Sequence, residues 1–426
     1  MQSWQKPPSS SRTYHDPLHG AIALSWRDPT EALLIRLIDT PAFQRLRRIR
    51  QLGPASLTFH GAEASRFTHS LGVMAIARRA FDILARHHEN LQPHRATVLC
   101  AALLHDVGHG PFSHTSEEIF GTHHEEWSLR ILQEDVSIRQ SLDDFDPMLV
   151  NQIAAIYRKQ HPLPIIWQLI SSQLDCDRLD YLMRDSYFTG ASYGTLDLDR
   201  ILLALDYDPT YHQLVVKQKG IAAIEHYLIV RYLMYAQVYN HPKNLAATWV
   251  LEKIMERSRE LSTLQQLAAD EVMTAWLNYA TTQTLSFEHY LSADDGVMHY
   301  HIQCWQKSPD PVLADLCQRW THRNLLKALD VTALDPEQQQ QQLQRVQLWL
   351  QQAGWDDKYY TGLRTTMSRG YTPYPEGIAL KTGMGLQDIS QLSPLVETLA
   401  HPIRRDWLIY PREIDATILN ATGSQR

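Results

Sequence analysis

Residues 96 to 104, ATVLCAALL, are almost wholly apolar, and His105 and Asp106 follow just before Gly108, Gly110 and Pro111. A run with no polar face predicts a helix over 96 to 107 that is buried on all sides, and the glycines and proline stop it. A histidine and a carboxylate at the end of such a helix are costly to desolvate unless something compensates them. A divalent metal does so effectively. Imidazole nitrogen and carboxylate oxygen also suit borderline divalent metals. On its own a His-Asp dipeptide is more often a hydrogen-bonded core pair or a helix-end charge, so its company decides the reading.

That company is rich in histidine. The chain has 21, clustered in the first third, among them His69, His105, His109, His114 and the pair His123-His124. A long helix is predicted from Arg66, with Phe67, Leu71, Met74, Phe81 and Leu84 on its apolar face and His69 in its first turn. A second, predicted over 164 to 185, carries Asp177. His69, His105, Asp106 and Asp177 thus offer two imidazoles and two carboxylates to one metal. His114 follows a Gly-Pro turn that returns the chain toward His105, and an imidazole is suited to protonating a leaving alkoxide. Arg178, Tyr181 and Asp185, at i, i+3 and i+7, share the helix face that carries Asp177. Arg66, Arg178 and Arg231 are cations of the kind a polyphosphate needs.

The remaining pattern is mainly helical: a helix, a break at Pro41 and a basic helix over 31 to 51, then helices over 125 to 133 and 221 to 239. A Gln-rich stretch at 338 to 352 keeps helical spacing at Leu343, Val346 and Leu350. GIALKT (377 to 382) and DWLIYP (406 to 411) read as strands. The expected fold is mainly α, with a helical domain over 1–262 and a smaller α+β C-terminal domain over 263–426 for oligomerisation or an accessory role. A net charge of -7 gives no global basic field for nucleic acid. Four scattered cysteines argue against a disulfide scaffold or a CxxC knuckle. The polar N-terminus, Met1 to Arg12, lacks an apolar leader core, and no run approaches a membrane span. A cytoplasmic protein is expected.

RFTHSLGV, LLHDVGHGPFSH, HHEEWS and DCDRLDYLMRD, in this order and spacing, resemble the HD-domain phosphohydrolases, in the branch of deoxynucleoside triphosphate triphosphohydrolases. The resemblance covers about residues 12 to 245 and implies an HD-type helical core. It makes His69, His105, Asp106 and Asp177 the metal ligands, with manganese, iron, magnesium, nickel or zinc all compatible. It gives His114 the general-acid role and makes His109, His124 and Glu125 phosphate-facing or supporting groups. Arg66, Arg178, Tyr181 and Arg231 would hold phosphates; Gln51 and Asp185 would meet the sugar 3′-hydroxyl and favour a deoxyribonucleotide. Arg178 stands where the vertebrate member has lysine.

The implied reaction gives deoxynucleoside and inorganic triphosphate, by attack of metal-activated water at the α-phosphorus. Asp39, Gln44 and Arg47 resemble guanine-reading residues of an activator pocket between subunits, with Arg12 and Lys243 adding phosphate contacts. His15 replaces an asparagine there. A guanine nucleotide effector and a homo-oligomer, dimer or tetramer, follow from that resemblance. Two alternatives stay open: an HD-superfamily phosphodiesterase or phosphatase on another nucleotide, and a non-catalytic nucleotide or nucleic-acid binder using the basic stretch Arg45 to Arg50.

Overall fold

The computed structural model describes residues 10–373 and 377–415. The N-terminal stretch lies, up to residue 9, outside the described residues. An antiparallel hairpin opens the fold: β1 (Ser11–Asp16) pairs with β2 (Gly20–Ser25). Asp16 Oδ1 accepts the Leu18 and His19 N–H groups, each at 2.9 Å, and so closes the turn. α1 (Pro29–Ile38) is capped by Asp28, which accepts the Glu31 N–H at 3.0 Å. The expected break at Pro41 is present, with Thr40 capping a short helical turn at Pro41–Arg45.

Of the two long helices expected around the site, the first starts at Arg66 as read and the second ends at Leu104 rather than 107, before His105 and Asp106. α2 (Arg66–His87) starts at the Ser65 cap, and α3 (Arg95–Leu104) is buried at every position from Ala96 to Leu104. α4 (His114–Phe120) and α5 (His124–Glu134) follow. The single helix expected over 164 to 185 is instead divided into Pro164–Gln168 and α6 (Cys176–Thr189). Asp175 is the cause: its carboxylate accepts the N–H groups of Ser172 and Arg178, each at 2.7 Å, which ends one backbone path and caps a new helix. α7 (Ile221–Met234) runs into a π-helical turn at Tyr235–Tyr239, and α8 (Pro242–Thr263) follows.

α9 (Asp295–Trp305) and α10 (Pro336–Gln352) belong to the C-terminal region; α10 is the Gln-rich stretch, with Val346 and Leu350 buried. β3 (Leu205–Asp208) and β4 (Gln213–Lys217) form one sheet with β7 (Ala379–Thr382) and β8 (Gly385–Asp388); β5 (Lys327–Asp330), β9 (Ile403–Tyr410) and β6 (Gly362–Ser368) form another in that order.

The fold is mainly α, a helical core with a smaller sheet-containing C-terminal region. Its two cores cross residue 262. Tyr371, Leu380 and Val396 share a core with α2 and α3, whereas Val250 and Ile254 of α8 share one with Leu313, Val346 and Ile409. Strand β7 also pairs in parallel with β4. The four cysteines are unbridged. Among the described residues, no helix is long and apolar enough to cross a membrane.

Candidate active site

His69 lies in the first turn of α2. Its Nδ1–H donates to Asp180 Oδ2 at 2.7 Å, which turns Nε2 toward Asp177 Oδ1 at 3.0 Å and Asp106 Oδ2 at 3.5 Å. His105, just past α3, donates Nδ1–H to the Ala102 carbonyl at 2.8 Å. Its Nε2 is buried with no hydrogen-bond partner among the described residues, 3.3 Å from Asp106 and 3.6 Å from Asp177. His69, His105 and Asp106 thus form a group that could hold a metal ion, Asp177 stands against both imidazoles, and each imidazole is fixed through its other nitrogen. This donor set fits a divalent metal. Burial opposes a charge on His69, yet the Asp177 and Asp180 contacts outweigh it and lift its pKa to about 10. Such an excess of carboxylate favours any cation.

Asp180 was not singled out from sequence, although it stands one turn beyond Asp177. Besides His69 it accepts His19 Nε2–H at 2.5 Å and Arg184 Nε–H at 2.8 Å. Gly72 makes this close helix crossing possible, because a Cβ there would sit 2.0 Å from Asp180 Oδ1. Partners that orient a metal-bound histidine typically control metal affinity by about 10- to 100-fold. Asp180→Asn is therefore expected to weaken divalent-metal binding by about that factor in a metal titration. An unchanged affinity in a folded variant would remove Asp180 from the metal site.

Beside these four residues stand three histidines and a carboxylate. His109 is buried, with Nε2 3.3 Å from Asp106 Oδ1. Burial, and then Arg66 and His124, hold its pKa well below the usual histidine value. It stacks on His124 at 4.0 Å and meets His114 edge-on at 4.8 Å. Glu117 accepts His114 Nδ1–H at 2.9 Å and His124 Nδ1–H at 2.5 Å. The resemblance names Glu125, which also lines the cavity, but Glu117 makes the orienting contacts. Its sequence signal was the i+3 step from His114 along α4.

The loop that aims His109 and His114 is strained, with Phe112 at φ 59° and Ser113 at φ 57°. Such backbone costs about 1–3 kcal/mol per residue and persists where surroundings over-determine it. Here Arg45 donates to the His109 carbonyl at 2.8 Å, and Asp295 at the start of α9 accepts the Phe112 N–H at 2.7 Å.

His105, Asp106, Asp177, His109, His114 and His124 line a cavity of about 790 Å³, within the roughly 300–1,000 Å³ of ordinary ligand sites. Arg66 lines it, paired with Asp106 at 2.6 Å. Arg178 lines it too, paired with Asp175, as do Tyr181, Gln51 and Asp185. Gln51 Oε1 and Asp185 Oδ1 are buried without a hydrogen-bond partner among the described residues. The other Asp185 oxygen accepts the Tyr239 hydroxyl at 2.9 Å, and burial raises the Asp185 pKa to about 7. Arg231 stands outside the lining, donating to Gln173 Oε1 at 2.8 Å. Lys159, not singled out from sequence, is on the wall.

Of the residues assigned to an activator pocket, Arg12 pairs with Asp39, and Arg47 donates to Gln44 Oε1 at 2.7 Å while covering the Phe67 ring at 3.5 Å. His15 and Lys243 are exposed on β1 and at the start of α8, outside these contacts. The basic stretch is not an open cationic face: Arg45 is buried, Arg48 pairs with Asp294 and Arg50 with Glu63.

The chain matches the HD domain over residues 66–184 and the HD associated region over 196–348. YwfO of Bacillus subtilis, an uncharacterized protein, is 36% identical over 416 residues, spanning 95% of this chain and 93% of YwfO. A phosphohydrolase structure from Bacteroides thetaiotaomicron superposes with a TM-score of 0.82 at 28% identity, covering 94% of this chain and 100% of that one. Similarity to deoxynucleoside triphosphate triphosphohydrolase SAMHD1 is partial. The Dictyostelium discoideum homolog is 30% identical over 54% of this chain and 46% of its own. The Homo sapiens protein is 47% identical over 24% and 16%. Two near-full-length matches and a His/Asp group inside the matched domain that could hold a metal converge: the chain belongs to the HD-domain phosphohydrolases with an HD associated region, and is a metal-dependent hydrolase.

Proposed function

We propose that the protein hydrolyses deoxynucleoside triphosphates to deoxynucleoside and inorganic triphosphate. One observation carries this reading: His105, Asp106, Asp177, the histidine group, Arg66, Arg178, Gln51 and Asp185 share a single cavity, with His69 Nε2 3.5 Å from Asp106 and 3.0 Å from Asp177. A divalent ion held by His69, His105, Asp106 and Asp177 supplies Lewis acidity, polarising a phosphoryl oxygen and lowering the pKa of water from ~15.7 toward ~7. Arg66 and Arg178 balance phosphate charge. Neutral His109 donates a hydrogen bond to a phosphate oxygen. His114, oriented through Nδ1 by Glu117, gives its proton to the departing 5′-oxygen. Gln51 Oε1 accepts from the 3′-hydroxyl beside Asp185, and their burial leaves little room for a 2′-hydroxyl.

Partial likeness to SAMHD1 supports the same substrate, and the gathering of Arg12, Asp39, Gln44 and Arg47 supports a guanine nucleotide effector held between subunits of a homo-oligomer. A cytoplasmic location fits this chemistry. The test is incubation of the purified protein with each deoxynucleotide, singly and mixed, and with dGTP added, in manganese, magnesium or iron(II). Tripolyphosphate and deoxynucleoside are the expected products. Pyrophosphate or monophosphate as product would overturn the reading, and rates indifferent to dGTP would remove the effector.

A further inference from the structure

The C-terminal region enters the cavity through β6. Four consecutive residues, Arg364 to Met367, line it. Side chains alternate across a strand, so a cavity bordered by consecutive residues meets the strand along its edge. β6 has such an edge, because it pairs with β9 on one side and ends the sheet order β5-β9-β6.

The register shows which backbone groups lie there. In β9, Asp406 accepts the Val331 N–H at 2.8 Å and donates its own N–H to Thr332 Oγ1 at 2.9 Å. Asp406 therefore faces away from β6, while Arg405 and Trp407 face it. Their partners, Thr366 and Arg364, direct their backbone groups to β9. Thr365 and Met367 turn N–H and C=O to the free edge, at the cavity.

The surroundings suit a flat, neutral ligand. Leu52, Pro54, Ala55, Leu245 and Thr248 line the same cavity. Arg364 is not a free cation here: it pairs with Glu252 and Glu118, each at 2.7 Å. Glu118 lies on α4, the helix of His114 and Glu117, so the ion pair ties β6 to the residues that handle the proton.

We infer that the free edge of β6 reads the nucleobase, the N–H and C=O of Thr365 and Met367 pairing with the donors and acceptors of its edge. This rests on the deoxynucleotide reading above. An unpaired strand edge presents donors and acceptors in alternation, and apolar walls accept the base faces.

Proline supplies the test, because it removes one N–H and is tolerated where that N–H leaves the sheet. Met367→Pro deletes the donor at the cavity. Leu363→Pro deletes the equivalent donor on the same edge outside the lining and is the control. KM is measured for the four deoxynucleoside triphosphates and for abasic 2-deoxyribose 5-triphosphate. Met367→Pro is expected to raise KM for base-bearing substrates about tenfold, the scale of one lost hydrogen bond, and to shrink their advantage over the abasic one. Leu363→Pro keeps that advantage. An advantage unchanged by Met367→Pro, or lost equally in both variants, overturns the inference.

Should Met367→Pro melt early, the wild-type protein is given substrates methylated on the Watson–Crick edge. A rise of about tenfold in KM supports base-edge reading, and equal KM overturns it. Wild-type protein that releases tripolyphosphate from no deoxynucleotide instead defeats the underlying substrate reading.

Discussion

Asp106→Ala is expected to lower kcat about a thousandfold or more, to empty the metal site and to lower the melting temperature. The magnitude follows from how many groups meet at this carboxylate. One oxygen lies 3.5 Å from His69 Nε2 and 2.6 Å from Arg66; the other is 3.3 Å from both His105 and His109. Burial works against its charge, but Arg66, His105 and His109 outweigh that and hold its pKa well below the usual carboxylate range. Removing it deletes a carboxylate of the candidate metal site and leaves Arg66, 3% exposed, as an unpaired buried cation. Breaking such a pair costs about 3–5 kcal/mol, and a thousandfold in rate corresponds to about 4 kcal/mol. Asp106→Asn separates the effects, since it keeps volume and a hydrogen-bond acceptor for Arg66 while weakening metal binding. Metal content, product release and melting are measured on all three proteins. Turnover within about tenfold of wild type, at equal metal content, would take Asp106 out of the site.

The buried His-Asp pair was legible because the apolar run before His105 forces burial, and such a pair invites a cation. The long helices were legible through their periodicity. What escaped depends on geometry that periodicity does not carry. Asp180 and Glu117 each stand one helical turn from a residue that was singled out, and their roles turn on which ring nitrogen faces the carboxylate. The helix division at 169–175 depends on the Asp175 side chain capturing two N–H groups. The β1–β2 hairpin has short strands with few apolar positions, although Ile22 and Leu24 are buried on one side. Asp295 and β6 reach the site from residues far along the chain, through packing that no local motif announces. Arg231, assigned to the phosphates by resemblance, here donates to Gln173 Oε1 at 2.8 Å, a contact between residues 58 apart that periodicity does not carry.

Glu117→Gln is the second large effect, expected to lower kcat by about 10²–10⁴-fold, the usual scale of positioned acid–base catalysis, with KM and metal content nearly retained. Glu117 bridges His114 and His124 as acceptor to both Nδ1–H groups, and its backbone-directed bond to the His124 N–H, at 2.8 Å, fixes the start of α5. A glutamine keeps the shape but has one acceptor oxygen and an NH₂. One imidazole then faces a donor and must rotate or change tautomer. Burial pushes the Glu117 pKa up, but the two histidine contacts outweigh it and hold it well below the usual range. Its folded-state pKa being lowered, the carboxylate stays ionised as pH falls through the usual carboxylate range. The gap between wild type and variant should therefore persist from neutral into mildly acidic pH rather than close. Glu125→Gln is the comparison, because Glu125 lines the cavity without the bridging contacts, and a smaller loss is expected there. Equal losses in the two variants, or a Glu117→Gln protein as fast as wild type, would mean that the histidines are aimed by something other than this bridge.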